Sequence, residues 1–330
     1  MHSIIMRHFS ILITLFTIIA FNSCNGQLNY SEPCFDRSTT DERPNPKRNG
    51  LTSTEAVTAE KNNELQKINA LEFKFPQDRK QILSNLNAKI ARGAHLTVHV
   101  FVPLCDNENQ GIVPTSPSIG NGFDAKRNLY WGTSKGMKRY FSDLSDWIMI
   151  HGQEKVNEFI LDRAIFEKTY SNGTKVLLIM DAYRGDQMQL CLEDYFKSLA
   201  GEKLDSIATE LQPYPAYGNA DLLIFNGHNG LMDEAASYFK NADSRPKDAV
   251  AIACISKDYF KPYWELAGAY PLVMTSGLMY PGAFCTEFIV NEWALLNDAE
   301  ACRKAAGSAY YKYKPKSGPN GSNNLFRTGW

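Results

Sequence analysis

His228 and Cys254 are the two side chains whose types and spacing point most directly to chemistry. Each follows an apolar run. "DLLIF" (221–225) leads into Asn226-Gly227-His228-Asn229-Gly230, and "AVAIA" (249–253) leads into Cys254-Ile255-Ser256. An imidazole beside a thiol is the minimal base–nucleophile pair: the ring takes the thiol proton and the thiolate attacks a carbonyl carbon. Gly227 and Gly230 allow close backbone approach and would expose N–H groups to a developing oxyanion. Taken singly, His228 reads as a turn histidine and Cys254 as a small buried residue. Their placement at consecutive strand ends is what joins them into a pair.

The elements that must position them are legible as alternation. Five short aliphatic runs, 96–104, 175–180, 221–225, 249–253 and 270–275, suit strands buried on both faces. Between them lie helical patterns at 77–93, 137–148, 187–200 and 231–242, and "CTEFIVNEWALLNDAEACRKAAGSAYYKY" near the end reads as one or two more. This order predicts an α/β fold: a mostly parallel sheet of about five or more strands with helices on both faces, in three layers. His228 and Cys254 are 26 residues apart, which leaves room for one crossover helix (231–241) and a return strand. Successive parallel strands are usually neighbours, so both side chains are expected on adjacent strand ends. Ligands of open parallel sheets bind outside the carboxyl ends of the strands.

Other polar residues fall at the same rim. Asp106, Asp181, Arg184 and Ser256 are expected to line a substrate pocket, where Arg184 would read an acidic side chain or an aspartate a basic one. Asp181 and Arg184 alternatively cap the following helix or pair with each other. "CDNENQG" (105–111) offers oxygen ligands for a hard cation, but reads more simply as a solvated loop. Cys105 is a rival thiol without an adjacent histidine. His151 of "WIMIHG" imitates a strand-end histidine, but the pattern begun at Met137 places it at a helix C-terminus. His95 and His99 belong to the first strand. No phosphate-binding glycine loop follows a strand, and "SGLMYPG" is not a serine-hydrolase elbow, so the sequence calls for no cofactor and no metal.

The pieces "LLIFNGHNG" and "AVAIACIS" resemble the caspase-like cysteine peptidases, which include caspases, metacaspases, legumains, clostripains and gingipains. The resemblance covers residues 94 to 280 as a pattern and these two motifs as residues. It implies an α/β sandwich with histidine and cysteine on consecutive strands. By it, His228 matches the catalytic histidine and Cys254 the nucleophile of peptide-bond hydrolysis. The backbone near Asn229, Gly230 and Cys254 matches the oxyanion hole. The family has His-Gly directly, whereas Asn229 intervenes here, and the interval to the cysteine is shorter than usual. A non-catalytic envelope protein on the same fold, recognising a peptide or glycan across the rim and the long 105–135 loop, is the alternative. A metal-dependent hydrolase using the Asp/Glu/Asn rim is a third.

The chain of 330 residues is 44% hydrophobic, enough for a sizeable core. Its net charge of -1, well mixed, offers no field for nucleic acid. Residues 1–23 carry an early Arg7 and an apolar run from Ile11 to Phe21, the size of a signal-peptide core. Ser23-Cys24 resembles a bacterial lipobox, in which Cys24 becomes the lipidated N-terminus. That implies an exported protein anchored at the cell envelope, facing the periplasm or the surface. Residues 24–53 read as a tether, 54–313 as one domain with N-terminal helices over 54–93, and 314–330 as a flexible tail. The other six cysteines are dispersed, without CxxC spacing, and read mostly as small buried residues. The expected partners are a peptide or protein substrate and, through the anchor, a membrane; oligomeric state is left open.

Overall fold

A computed structural model describes residues 76–210 and 212–330. The signal segment, Cys24, the tether, Cys34 and the first of the two N-terminal helical patterns lie outside the described residues. The second pattern forms helix α1 (Lys80–Ala91), which buries Ile82 and Leu86.

All five apolar runs are strands, and each is buried along its length or nearly so. They are β1 (Leu96–Pro103), β4 (Lys175–Tyr183), β7 (Leu222–Asn226), β8 (Lys247–Ile252) and β9 (Ala269–Thr275). They pair in parallel as β9-β8-β7-β1-β4. The sheet continues past β4 with β3 (Ile160–Thr169) and β2 (Ile148–Glu154), and past β9 with β10 (Phe326–Arg327), all antiparallel to their neighbours. A separate hairpin pairs β5 (Leu204–Ile207) with β6 (Tyr214–Tyr217).

Alternation along the strands divides the core between two faces. Val98, Val100, Leu222, Ile224, Val250 and Ile252 pack with α1, α2 (Met137–Ser142), α5 (Ala283–Ala294) and α6 (Ala299–Tyr313). Phe101, Ile179, Leu223, Phe225, Ala249 and Ala251 pack with α3 (Met188–Ala200) and α4 (Ser256–Ala267). The molecule is therefore a three-layer α/β sandwich. The chain moves from β1 to β4 on one side and returns to β7 on the other. The carboxyl ends of β1 and β7, where this direction switches, are the position where such sheets take ligands. There an added Cβ on Gly227 would meet the Pro103 ring at 2.8 Å, so the close approach of the two strand ends requires glycine.

The structure corrects three readings of local pattern. The helix begun at Met137 stops at Ser142, and residues from Ile148 form edge strand β2, so His151 lies in a strand and caps no helix. Trp147 still turns inward, 5.2 Å from the Phe141 ring, which is why the spacing mimics a longer helix. Residues 231–241 do not form a crossover helix. One 3-10 turn (Gly230–Met232) is followed by an irregular strap over α4. The strap is drawn there by specific contacts: Tyr238 stacks on Tyr263 at 4.3 Å, and Asn241 donates from its side chain to Ala267 at the α4 C-terminus. Residues 314–330 are ordered as α7 (Gly318–Leu325) and β10, with Phe326 fully buried and paired to Thr275. Among the described residues no helix is long and apolar enough to cross a membrane.

Candidate functional site

The parallel register of β7 and β8 brings the two loops together. Asn226 stands opposite Ile252, and His228 and Cys254 each follow two residues later, just past the ends of these adjacent strands. The loop ends are tied directly: Asn229 Nδ2 donates to the Cys254 carbonyl at 2.7 Å. The Asn229 side-chain oxygen accepts from the Leu231 N–H and caps the 3-10 turn. The residue that departs from the His-Gly pattern is thus the bridge between the histidine loop and the cysteine loop.

His228 has a partner that sequence reasoning missed. Its Nε2 lies 2.7 Å from Asp233 Oδ2. A carboxylate only accepts, so Nε2 carries a proton; in the neutral tautomer Nδ1 then holds the lone pair. Asp233 is itself fixed by the Gly111 N–H at 2.9 Å, which links the 105–135 loop to the imidazole. The signal was an acidic residue five positions after the histidine, but the helical pattern over 231–242 assigned it to a helix.

Among the five described cysteines, only Cys254 is not buried. Burial pushes its thiol above the ordinary range, offset in part by the Met279 N–H, which donates to Sγ at 3.3 Å. The thiol donates in turn to the Met279 carbonyl at 3.5 Å. Among the described residues no hydrogen bond joins the Cys254 thiol to the imidazole. Ile255 follows in a left-handed conformation (φ 48°), which is costly for a β-branched side chain. This turn between β8 and α4 sets Cys254 at the strand end. Ser256 is fully buried, and its hydroxyl donates to Ala251 and accepts from the Thr275 N–H. It braces the turn from beneath and does not line a pocket.

Gly230 is also reassigned. Its N–H donates to the His228 carbonyl at 3.1 Å, and a Cβ there would meet Met188 Cγ at 2.2 Å. It is required for packing against α3 and offers no oxyanion donor. The N–H groups of Asn229 and Cys254 carry no hydrogen bond among the described residues.

The residues expected to read a charged substrate are engaged elsewhere. Asp106 is buried, and its carboxylate accepts from the Glu108 and Asn109 N–H groups in a turn of its own loop. Arg184 forks onto Asp186 at 2.6 and 3.0 Å, and its guanidinium lies over Phe123. Asp181 is fully buried inside β4 and lines no pocket. It takes a forked bond from Arg163 at 2.6 and 2.7 Å and another from His99 Nε2 at 3.1 Å. The Tyr217 N–H donates to His99 Nδ1 at 2.8 Å, which fixes a neutral ring. The rival Cys105 is buried and pushed up to about 12 by burial. A cleft of about 480 Å³ lies apart from the pair, lined by Trp131, Lys138 and Asp162, and its charges are internally matched. Among the described residues no cluster of three or more His, Cys, Asp or Glu is placed to hold a metal ion.

The buried network makes a pH prediction. Burial lowers the His99 value below 6.5. Burial alone would raise the Asp181 carboxyl, but Arg163 and His99 outweigh it and hold it below its ordinary 3.8. Both groups bind fewer protons folded than unfolded, so stability is full above their unfolded values and declines in acid. Thermal melting should hold above 6.5, fall as pH drops through His99's range, and fall again below 3.8. A melting temperature unchanged between pH 8 and pH 4 contradicts this.

No family model matches the chain, and no curated protein and no solved structure matches it.

Proposed function

We propose that the chain is a cysteine peptidase-like hydrolase acting on polypeptide substrates, with Cys254 as nucleophile and His228 as base and acid. The observation that supports this reading is the position of both residues just past the ends of two in-register parallel strands. There the imidazole has a carboxylate partner and the thiol is the least buried of those described. The resemblance of "LLIFNGHNG" and "AVAIACIS" to the caspase-like peptidases supports the same assignment.

The chemistry follows from the tautomer. With Nε2–H held by Asp233, Nδ1 is the atom free to take the thiol proton. The thiolate forms a C–S bond at the scissile carbonyl, and the oxygen takes negative charge beside the Asn229 and Cys254 N–H groups. Collapse breaks the C–N bond as the imidazolium gives its proton to the leaving amine. Water, deprotonated by the same nitrogen, then cleaves the thioester, releasing a carboxylate and restoring the thiol. Asp233 stabilises the imidazolium and fixes the ring. The N-terminal segment with Cys24 supports an exported, lipid-anchored protein of the cell envelope.

The test is hydrolysis of an unfolded polypeptide by the full chain and by Cys254→Ala. The expected result is cleavage by the parent and none by the variant, with matching circular dichroism. Equal cleavage by both removes Cys254 from the reaction.

A further inference from the structure

We infer that, on the peptidase reading above, Gln110 and Gly111 are positioning residues for the reaction, acting on His228 through Asp233. The chain of contacts starts where β1 and β4 end. Gln110 is buried, and its Nε2 donates to the Leu104 carbonyl at 2.8 Å and to the Gly185 carbonyl at 2.9 Å. Its Oε1 accepts from the Asp106 N–H at 3.3 Å. Two carbonyl oxygens converge on one nitrogen, which calls for a group with two donors, and the amide supplies them. Asp106 accepts in turn from the Glu108 and Asn109 N–H groups, so 106–110 is a closed turn stapled to two strand exits. The staple delivers the next N–H along the chain, that of Gly111, to Asp233 Oδ2 at 2.9 Å.

Oδ2 is the same oxygen that takes His228 Nε2 at 2.7 Å. One carboxylate oxygen is thus held from two sides, by the loop after β1 and by the imidazole after β7. Hydrogen bonds to a carboxylate are charge-assisted and about twice as strong as neutral ones. Asp233 follows a single 3-10 turn and opens an irregular segment, so no regular helix sets the direction of its side chain. A Cβ on Gly111 would collide with the Asp233 carboxylate, so the close approach requires glycine. Misplacing a catalytic group by about 1 Å can cost about 10²-fold in rate. Gln110 and Gly111 guard against that loss without touching the reacting atoms.

The experiment is a double-mutant cycle on the full chain, with hydrolysis of an unfolded polypeptide as the readout. Gln110→Met keeps the bulk and removes all three amide bonds. Gly111→Ala, at an exposed loop residue, pushes the Asp233 carboxylate aside and leaves the sheet alone. Each should lower kcat by about 10–10²-fold with KM little changed. In an Asp233→Ala background neither should lower it further, because the carboxylate through which they act is gone. A second readout needs no activity: ¹⁵N signals of the His228 ring show which nitrogen carries the proton. The neutral ring should be the Nε2–H form in the parent and a mixture of forms in both variants. Parental kcat in both variants, losses that multiply with that of Asp233→Ala, or unchanged ring signals overturn the positioning role while leaving the peptidase reading in place. If Gln110→Met does not fold, Gly111→Ala decides by the same readouts. An absence of any Cys254-dependent cleavage by the parent overturns the peptidase reading and the positioning role with it.

Discussion

Replacing His228 by alanine should lower kcat/KM for peptide hydrolysis by about 10²–10⁴-fold, the range general-base catalysis contributes. The expectation is this large because the thiol is not pre-ionised. Burial holds Cys254 above the ordinary thiol range, and the Met279 N–H offsets this only in part. Without a base, almost no thiolate exists at neutral pH. The loss should appear in kcat more than in KM, since in the proposed mechanism the imidazole acts on the reacting atoms and not on the substrate's side chains. The ring sits in a rim loop, held by Asp233, so the sheet beneath should survive the substitution. A His228→Ala enzyme with parental kcat would remove the imidazole from the mechanism.

Asp181→Ala should destabilise the protein by about 3–5 kcal/mol, the cost of leaving a buried guanidinium without its partner. Arg163 is almost fully buried, and its forked bond ends on this carboxylate. The same substitution removes the acceptor of His99 Nε2. Denaturant melting at pH 7 measures the loss directly. Replacing both Arg163 and Asp181 by apolar residues should cost less than the single change, because no unpaired charge remains. If Asp181 instead read a basic substrate, the single variant would keep its stability and change its cleavage preference.

Asp181 also shows where sequence reading reaches its limit. Its position after "KVLLIM" places it at a strand end, and the strand is real. The strand runs on to Tyr183, however, so Asp181 lies within the pleat, opposite partners from β1, β3 and β6. No local pattern reports those partners. The five aliphatic runs were legible because burial on both faces leaves an unbroken apolar signature. Edge strand β2 was not, since its residues are largely exposed and its pairing with β3 is the main contact that makes it a strand. The 231–242 segment carries helical spacing, yet Asp233 is taken by His228 and Asn241 by the end of α4. The tail is rich in Gly, Pro and Asn, but one buried phenylalanine, Phe326, docks it as an outer strand.

The candidate site divides in the same way. His228 and Cys254 were visible because each ends a strand of clear signature. Asn229 stood out only as a departure from a family pattern. Its role required the distance from its side chain to the Cys254 carbonyl. Asp233 was hidden inside a misread helix. Gly230 was read for its N–H, but packing against Met188 is what demands a glycine there.

The most direct measurement is covalent. The full chain is treated with a peptidyl chloromethyl ketone, and the adduct is located by mass spectrometry. The account predicts one adduct, on Cys254, absent from Cys254→Ala and strongly slowed in His228→Ala. Equal labelling of Cys254→Ala contradicts it.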